Sequence, residues 1–470
     1  MPLSQDQVIY ALTELLGADS VISAPAEMAG YLSEPRRRFT TKARAVALPR
    51  TVAEVQRVMA WAHETNVRVI PQAGNTGLVG GQVPLFGDEV IVSISRLKGV
   101  RDVDAAAGHM TLNAGTTLEE AHQIAEDAGM LFPLHIASQG SARIGGVLGT
   151  NAGGVQVLSY GNARELCMGV EAVLADGTLY QGLTALKKDN TGYDLKDLFV
   201  GSEGTLGIIT AATLKLFPKP ADYETAFLNV ASPDAALHLF AQLRARAGHT
   251  LTAFELMPRI GIEFQLKHGM IEHDVAAAPS PWHVLAEISV PEGVAPGALM
   301  AALEPAFESG LVTNGAIAES LAQREAMWQA REQMSEVQSR EGGSIKHDVS
   351  VPVAAVPTLI ERGVKAVADV VPGIRPVPFG HLGDGNIHFN FSQPDGADQK
   401  AFMAGAEPVH KAVYAVVREL GGSISAEHGI GQLKTGLLAE VKDPVAMAMM
   451  RSIKSALDPK GILNPGKVLG

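Results

Sequence analysis

The sequence predicts an α+β protein of at least two domains, a reading carried by its length, by alternating helical and strand signals, and by one sharp change of character near residue 220. At 470 residues the chain outgrows a single core, because domains run to about 100–200 residues and cores stop growing near 250–300. Hydrophobic residues make up 46% and charged residues 19%, which supplies packed interiors and shows no signature of disorder. At Phe217–Pro220 two prolines flank a lysine and a glycine-rich region ends. The expected spans are 1–218, 219–425 and a closing segment 426–470.

Element by element, Thr51 and Glu54 have capping-box spacing, and Val55, Val58, Met59 and Ala62 then recur at helical intervals, predicting a helix over 51–65. VRVI at 67–70 and EVIVSIS at 89–95 read as strands around the stretch PQAGNTGLVGG. Thr117 and Glu120 open another helix that Gly129 can stop. The six glycines within 133–160 predict loop. Beyond Pro220, TAFLNVAS, TLTAFEL and HVLAEISV read as strands, while 233–248, 297–310 and 321–340 read as helices. The chain closes on a helix and a Pro/Gly-rich tail.

A net charge of -12 offers no footprint for neutralising phosphates, which argues against nucleic acid and anionic membrane as partners. Arg36, Arg37 and Arg38 form the only tight basic cluster. No stretch approaches the roughly 20 apolar residues of a membrane span. The N-terminus lacks a basic start followed by an apolar core, so a cytoplasmic setting is expected. Cys167 is the only cysteine, which excludes disulfides within the chain, thiolate zinc fingers and iron–sulfur clusters. Redox chemistry would need an organic cofactor.

Gly74, Gly77, Gly80 and Gly81 have the wrong spacing for a Rossmann fingerprint, and GILNPGK at 461–467 matches a phosphate loop only by chance, since Val468 replaces its Ser/Thr and no helix can follow. Three polar glycine-rich loops remain: GNTGLVGG, SQGSARIGGVLGTNAGG and GSEGTLGIIT. Their backbone N–H groups can form nests for a pyrophosphate, and three in one domain point to a large dinucleotide. The order PQAGNTGLVGG, IGGVLGTNAGG, DNTGYDLKDLFVGSEGTLGIIT, FGHLGDGNIHFNF, SAEHGIG, LDPKGILNPGK resembles the D-2-hydroxyglutarate dehydrogenase branch of the vanillyl-alcohol oxidase and p-cresol methylhydroxylase flavoprotein superfamily, from about residue 40 to the end. The resemblance implies an FAD-binding domain of that type followed by an α+β substrate, or cap, domain. It implies FAD held by Pro71, Gly74, Asn75, Thr76, Gly77, Gly80 and Gly81. Gly140, Ser141, Gly145, Gly146, Thr150, Asn151 and Gly153 would line the pyrophosphate, with Glu203, Gly204, Gly207 and Ile208 along the adenosine and Asn464 towards the isoalloxazine. The first glycine loop has no histidine, so the flavin is expected to be non-covalent. Cys167 is read as a buried small hydrophobe rather than a tether.

In FGHLGDGNIHFNF, the strand period puts His388 and Asn390 on one face and Ile387, Phe389 and Phe391 on the other, taken as core. His381 can fold back across the turn, while Glu427 and His428 come from SAEHGIG. Two imidazoles and a carboxylate suit an open catalytic metal site, zinc first among divalent ions; a His–Glu network without metal is the competing reading. The resemblance implies His381, His388 and Glu427 as ligands, and Arg331, Ser335 and Lys346 as the substrate clamp. Arg331 and Ser335, four residues apart, are expected on one helix face. The function so implied is oxidation of a D-2-hydroxy acid, D-2-hydroxyglutarate before D-malate or D-lactate. His428 would be the base, Asn390 would orient the hydroxyl, and an electron-transfer flavoprotein or quinone would accept the electrons. A glycolate- or D-lactate-type dehydrogenase or oxidase, or an inactive FAD-binding subunit, are the alternatives. The assembly is left open, a homodimer among the options.

Overall fold

The computed structural model describes residues 2–39, 41–276 and 278–470. The chain divides into two compact units: one runs to Gly154, resumes over Gly161–Lys219 and closes with Glu427–Gly470, and the other comprises Val155–Tyr160 and Pro220–Ala426.

The first unit holds two principal sheets. Strands Ala45–Ala47 and Val69–Gln72 both run parallel to Val90–Ser93, and Val21–Ile22 pairs antiparallel on the edge. Helix Val52–Thr65 makes the crossover between parallel strands. Thr51 and Glu54 form the reciprocal capping box at its start, and Asn66 ends it in a left-handed conformation (φ 55°). Its buried side chains are Val55, Val58, Met59 and Ala62. A second capping box, Thr117 with Glu120, starts helix Leu118–Asp127. The other sheet is antiparallel in the order Val100–Asp104, His109–Asn113, Ile208–Lys215, Cys167–Val173, Leu179–Gly182.

Stretch 133–160, expected as loop, carries two short helices, Ile144–Gly149 and Val157–Tyr160. Glycine serves close packing in the first of them. A Cβ on Gly145 would lie 2.6 Å from Ile94 Cδ1 and 2.9 Å from Ala114 Cβ. The second belongs with the other unit, where Ser159 Oγ donates to His249 O.

The second unit is built on one eight-stranded sheet in the order Asn314–Ile317, Asp222–Val230, Trp282–Val290, Leu251–Pro258, Arg375–His381, Asn386–Ser392, Ser344–Ile345, with Asp348–Ser350 also on Asn386–Ser392. Strand alternation feeds two separate apolar clusters. Asp222–Val230 sends Ala226, Leu228 and Val230 to the larger and Phe227 to the smaller. Helices Pro233–Ala247, Ala298–Glu308, Val356–Val370 and Ala406–Glu419 bury their stripes in the larger cluster. Helix Arg259–Lys267 and the pair Leu321–Glu332 and Met334–Arg340 cover the smaller. The single helix expected over 321–340 is two, because Gln333 takes ψ -7° rather than the helical value near -42° and ends the first ladder. Arg331 and Ser335 therefore occupy successive helices and do not share one helix face.

Candidate active site

In the first unit the three glycine loops converge. A Cβ on Gly74 would lie 2.2 Å from Ser141 O, and one on Gly146 3.0 Å from Ala73 Cβ, so the first and second loops are in contact. Glu203, in the third loop with φ 53°, donates its N–H to Gly149 O at 2.7 Å, and Gly204 packs on Pro71. Asn464 Nδ2 donates to Gly81 O at 3.0 Å and to Glu203 O at 2.7 Å, which brings the C-terminal tail to the first and third loops. Asn75, also left-handed (φ 55°), ties the first loop back through Nδ2 to Gly30 O and Ser33 O. Thr76 and Gly77 are half-buried, and Gly80 O accepts from Gln432 Nε2. Thr150 Oγ1 donates to Gly146 O, Asn151 Oδ1 accepts from Arg164 N, and Gly153 is buried. Gly140 and Ser141 are exposed. Gly207 packs on Phe199 just before the strand, and Ile208, the strand's first residue, pairs with Val173.

Two observations fit a dinucleotide here. Gly149 is buried, yet a Cβ on it would meet nothing within 4 Å. Asn75 Oδ1 and Asn464 Oδ1 are buried without a hydrogen-bond partner among the described residues, a state that costs stability unless a ligand donor reaches them. Cys167 is buried in its strand, and burial pushes its thiol up to about 12, which suits a small hydrophobe and not a tether. Glu203 accepts from Ile430 N and Gly431 N, both at 2.7 Å; burial nevertheless raises its pKa. The residue that sequence reasoning dismissed is Lys467. It is 3% exposed, its Nζ has no hydrogen-bond partner among the described residues, and burial lowers its pKa to about 8. Its signal, GK after NPG, was the same one set aside as a chance phosphate loop.

In the second unit Leu382–Asp384 forms one 3₁₀ turn, Gly385 closes it with φ 85°, and strands Arg375–His381 and Asn386–Ser392 pair across it. The His381 and His388 ring centroids are 5.7 Å apart. Ile387, Phe389 and Phe391 are fully buried in the larger cluster, as the alternation predicts. The opposite face is more than chemistry: Val377 and Phe379, registered against Asn390 and His388, pack into the smaller cluster. Asn390 Oδ1 accepts from His347 N at 3.1 Å, and its Nδ2 donors are unused among the described residues.

Arg331 is 6% exposed. Its Nε donates to Glu255 Oε2 at 2.6 Å, its guanidinium lies 5.1 Å from the Phe379 ring centre, and no other side chain among the described residues hydrogen-bonds or pairs with it. Glu255 Oε1 accepts from His381 Nδ1 at 2.7 Å. Burial opposes ionisation of Glu255, but Arg331 and His381 outweigh it and hold the carboxyl down at about 2. Lys346 Nζ donates to Ser335 O at 2.7 Å and Ser335 Oγ at 2.9 Å. The clamp thus appears as two groups, Lys346 with Ser335 and Arg331 with His381 through Glu255. Glu427 and His428 are half-buried where the chain returns to the first unit.

Known proteins match this architecture in both halves. Residues 43–182 match the FAD binding domain family, and 219–468 match the C-terminal domain of FAD linked oxidases. The structure of p-cresol methylhydroxylase with substrate bound superimposes with a TM-score of 0.75 over 99% of this chain and 96% of its own; at 17% identity it speaks for the fold alone. Fold and domain matches define an FAD-linked oxidoreductase. A D-2-hydroxyglutarate dehydrogenase of Xanthomonas citri pv. viticola is 38% identical over 98% of this chain and 97% of its own, and the mitochondrial D-2-hydroxyglutarate dehydrogenase of Bos taurus is 38% identical over 99% and 84%. The chain belongs to the D-2-hydroxyglutarate dehydrogenase family.

Proposed function

We propose that this protein oxidises D-2-hydroxyglutarate to the 2-oxo acid, using non-covalent FAD and a divalent metal, zinc first. The observation that carries the substrate is the pair of cations in the second unit. Among the described residues Arg331 hydrogen-bonds through Nε alone, which leaves its Nη pair for a carboxylate, and Lys346, steadied by Ser335, offers a second positive charge. Two cations suit a dicarboxylate better than D-lactate or glycolate, and the names of the relatives agree.

Bound FAD would supply the two-electron acceptor, with an electron-transfer flavoprotein or quinone as its oxidant. A divalent ion held by His381, His388 and Glu427 would supply Lewis acidity at the 2-hydroxyl. The donor chemistry fits: the bond from His381 Nδ1 to Glu255 orients that ring for ligation through its other nitrogen, and His388 is half-buried nearby. Asn390 would donate from Nδ2 to the hydroxyl oxygen, and an imidazole nitrogen of His428 would take its proton.

The test is an anaerobic titration with D- and L-2-hydroxyglutarate, D-malate, D-lactate and glycolate, following the visible flavin band. D-2-hydroxyglutarate should bleach it at the lowest concentration and the L-isomer should not. Equal bleaching by D-lactate or glycolate would remove the dicarboxylate reading.

A further inference from the structure

Glu255 lies in strand Leu251–Pro258, registered opposite His381, and is 1% exposed. Its two oxygens serve different partners: Oε2 takes the Arg331 Nε–H and Oε1 takes the ring nitrogen Nδ1 of His381. Each bond decides what its donor has left. A hydrogen on Nδ1 keeps the lone pair on Nε2, the atom a metal would need. With Nε as its one hydrogen-bonding nitrogen among the described residues, Arg331 has its Nη groups left for a substrate oxygen. Phe379 touches both groups, with the Arg331 guanidinium 5.1 Å and the His388 ring 5.1 Å from its centre.

We propose that Glu255 is a positioning residue that sets the His381 tautomer for metal ligation and aims the Arg331 fork at the substrate carboxylate, so that one buried side chain aligns both. The His381 half rests on the metal reading above. A buried ion triad with no role beyond packing is the competing account, and breaking such a triad costs stability whether or not it serves function.

Glu255→Gln separates them. An amide has one acceptor oxygen. With that oxygen on Arg331 Nε, its NH₂ faces His381 Nδ1, which must become the lone-pair nitrogen; the ring proton then moves to Nε2 and blocks it. With the oxygen on His381, two donors meet at Arg331. Zinc affinity, read by competition with a chromophoric chelator, should fall about 10–100-fold, and KM for D-2-hydroxyglutarate should rise more than kcat falls, at unchanged FAD content. Glu255→Asp pulls the carboxylate back and should move both readouts in the same direction; it carries the test if the Gln variant does not fold. Wild-type protein that takes up no zinc after reconstitution sinks the metal reading and the His381 half together, and the KM split then judges the Arg331 half. Wild type that binds zinc, beside variants with the same zinc affinity and the same KM, overturns the proposal and leaves the metal reading standing.

Discussion

At the scale of single residues, Arg331 and Lys346 carry the same charge in different settings, and the difference is measurable. Each charge-assisted hydrogen bond to substrate contributes about 1.5–3 kcal/mol, so Arg331→Ala and Lys346→Ala should each lower kcat/KM by roughly 10–150-fold. Stability should separate them. Removing Arg331 leaves the Glu255 carboxylate buried with a lost partner, a change that costs about 3–5 kcal/mol, whereas Lys346 is half-buried on a serine. A thermal melt should therefore show a clear drop in Tm for the first variant and little for the second. Equal melts would mean that the Arg331–Glu255 pair is not buried as described. His428→Ala should act on rate alone, slowing flavin reduction by about 10²–10⁴-fold with FAD and metal content retained. Loss of metal from that variant would make His428 a ligand instead of a base.

Elements were legible where the local chemistry is self-contained. Thr51 with Glu54 and Thr117 with Glu120 announce their helices because both partners of a capping box lie within four residues. The helix Ile144–Gly149 was illegible because its glycines answer to Ile94, Ala114 and Ala73, fifty or more residues away for the first. Glu255 was missed for the same reason: in TLTAFEL it reads as one more strand residue, and its partners stand 76 and 126 positions along the chain. His381, His388 and Asn390 could be found because one hairpin holds them all. Gly145 gives a test of this packing. Ala is favoured over Gly in a helix by about 1 kcal/mol, but a Cβ 2.9 Å from Ala114 Cβ, which has no rotamer to escape by, is overpacking that costs about 1–3 kcal/mol. Gly145→Ala should be net destabilising and lower FAD retention on gel filtration; a gain in Tm would show the contact to be slack. Glu341 joins elements differently. Following helix Met334–Arg340, it accepts from His268 and Arg375 at 2.6 Å and pairs with Lys267 at 2.7 Å. Burial opposes its ionisation, but Lys267, Arg375 and His268 hold it down at about 2 from its ordinary 4.5. A carboxyl depressed on folding stabilises above its unfolded value and loses that stabilisation as pH falls through the folded one. Denaturant melts should thus lose a Glu341-dependent increment between about pH 4.5 and 2, and Glu341→Gln should flatten that slope while lowering stability at neutral pH.

At the scale of the whole molecule, the first unit is assembled from both ends of the chain. Val69 pairs with Leu463, its N–H reaching Ile462 O at 2.8 Å and its carbonyl accepting from Asn464 N at 2.8 Å, before Asn464 spans Gly81 and Glu203. A chain stopped after Gly461 should keep the second unit's sheet and lose bound flavin, read as the ratio of visible to protein absorbance; full flavin content would make the tail dispensable. The same arrangement sets an order of events on the ribosome. Everything up to Lys219 emerges first and must wait while roughly two hundred residues of the second unit follow, about 10–40 s at the usual 5–20 residues per second. The second unit has all of Pro220–Ala426 in hand and can close during that interval. The residues up to Lys219, with their glycine loops made but unclosed, wait through that interval, and flavin capture is expected to follow the emergence of Glu427–Gly470.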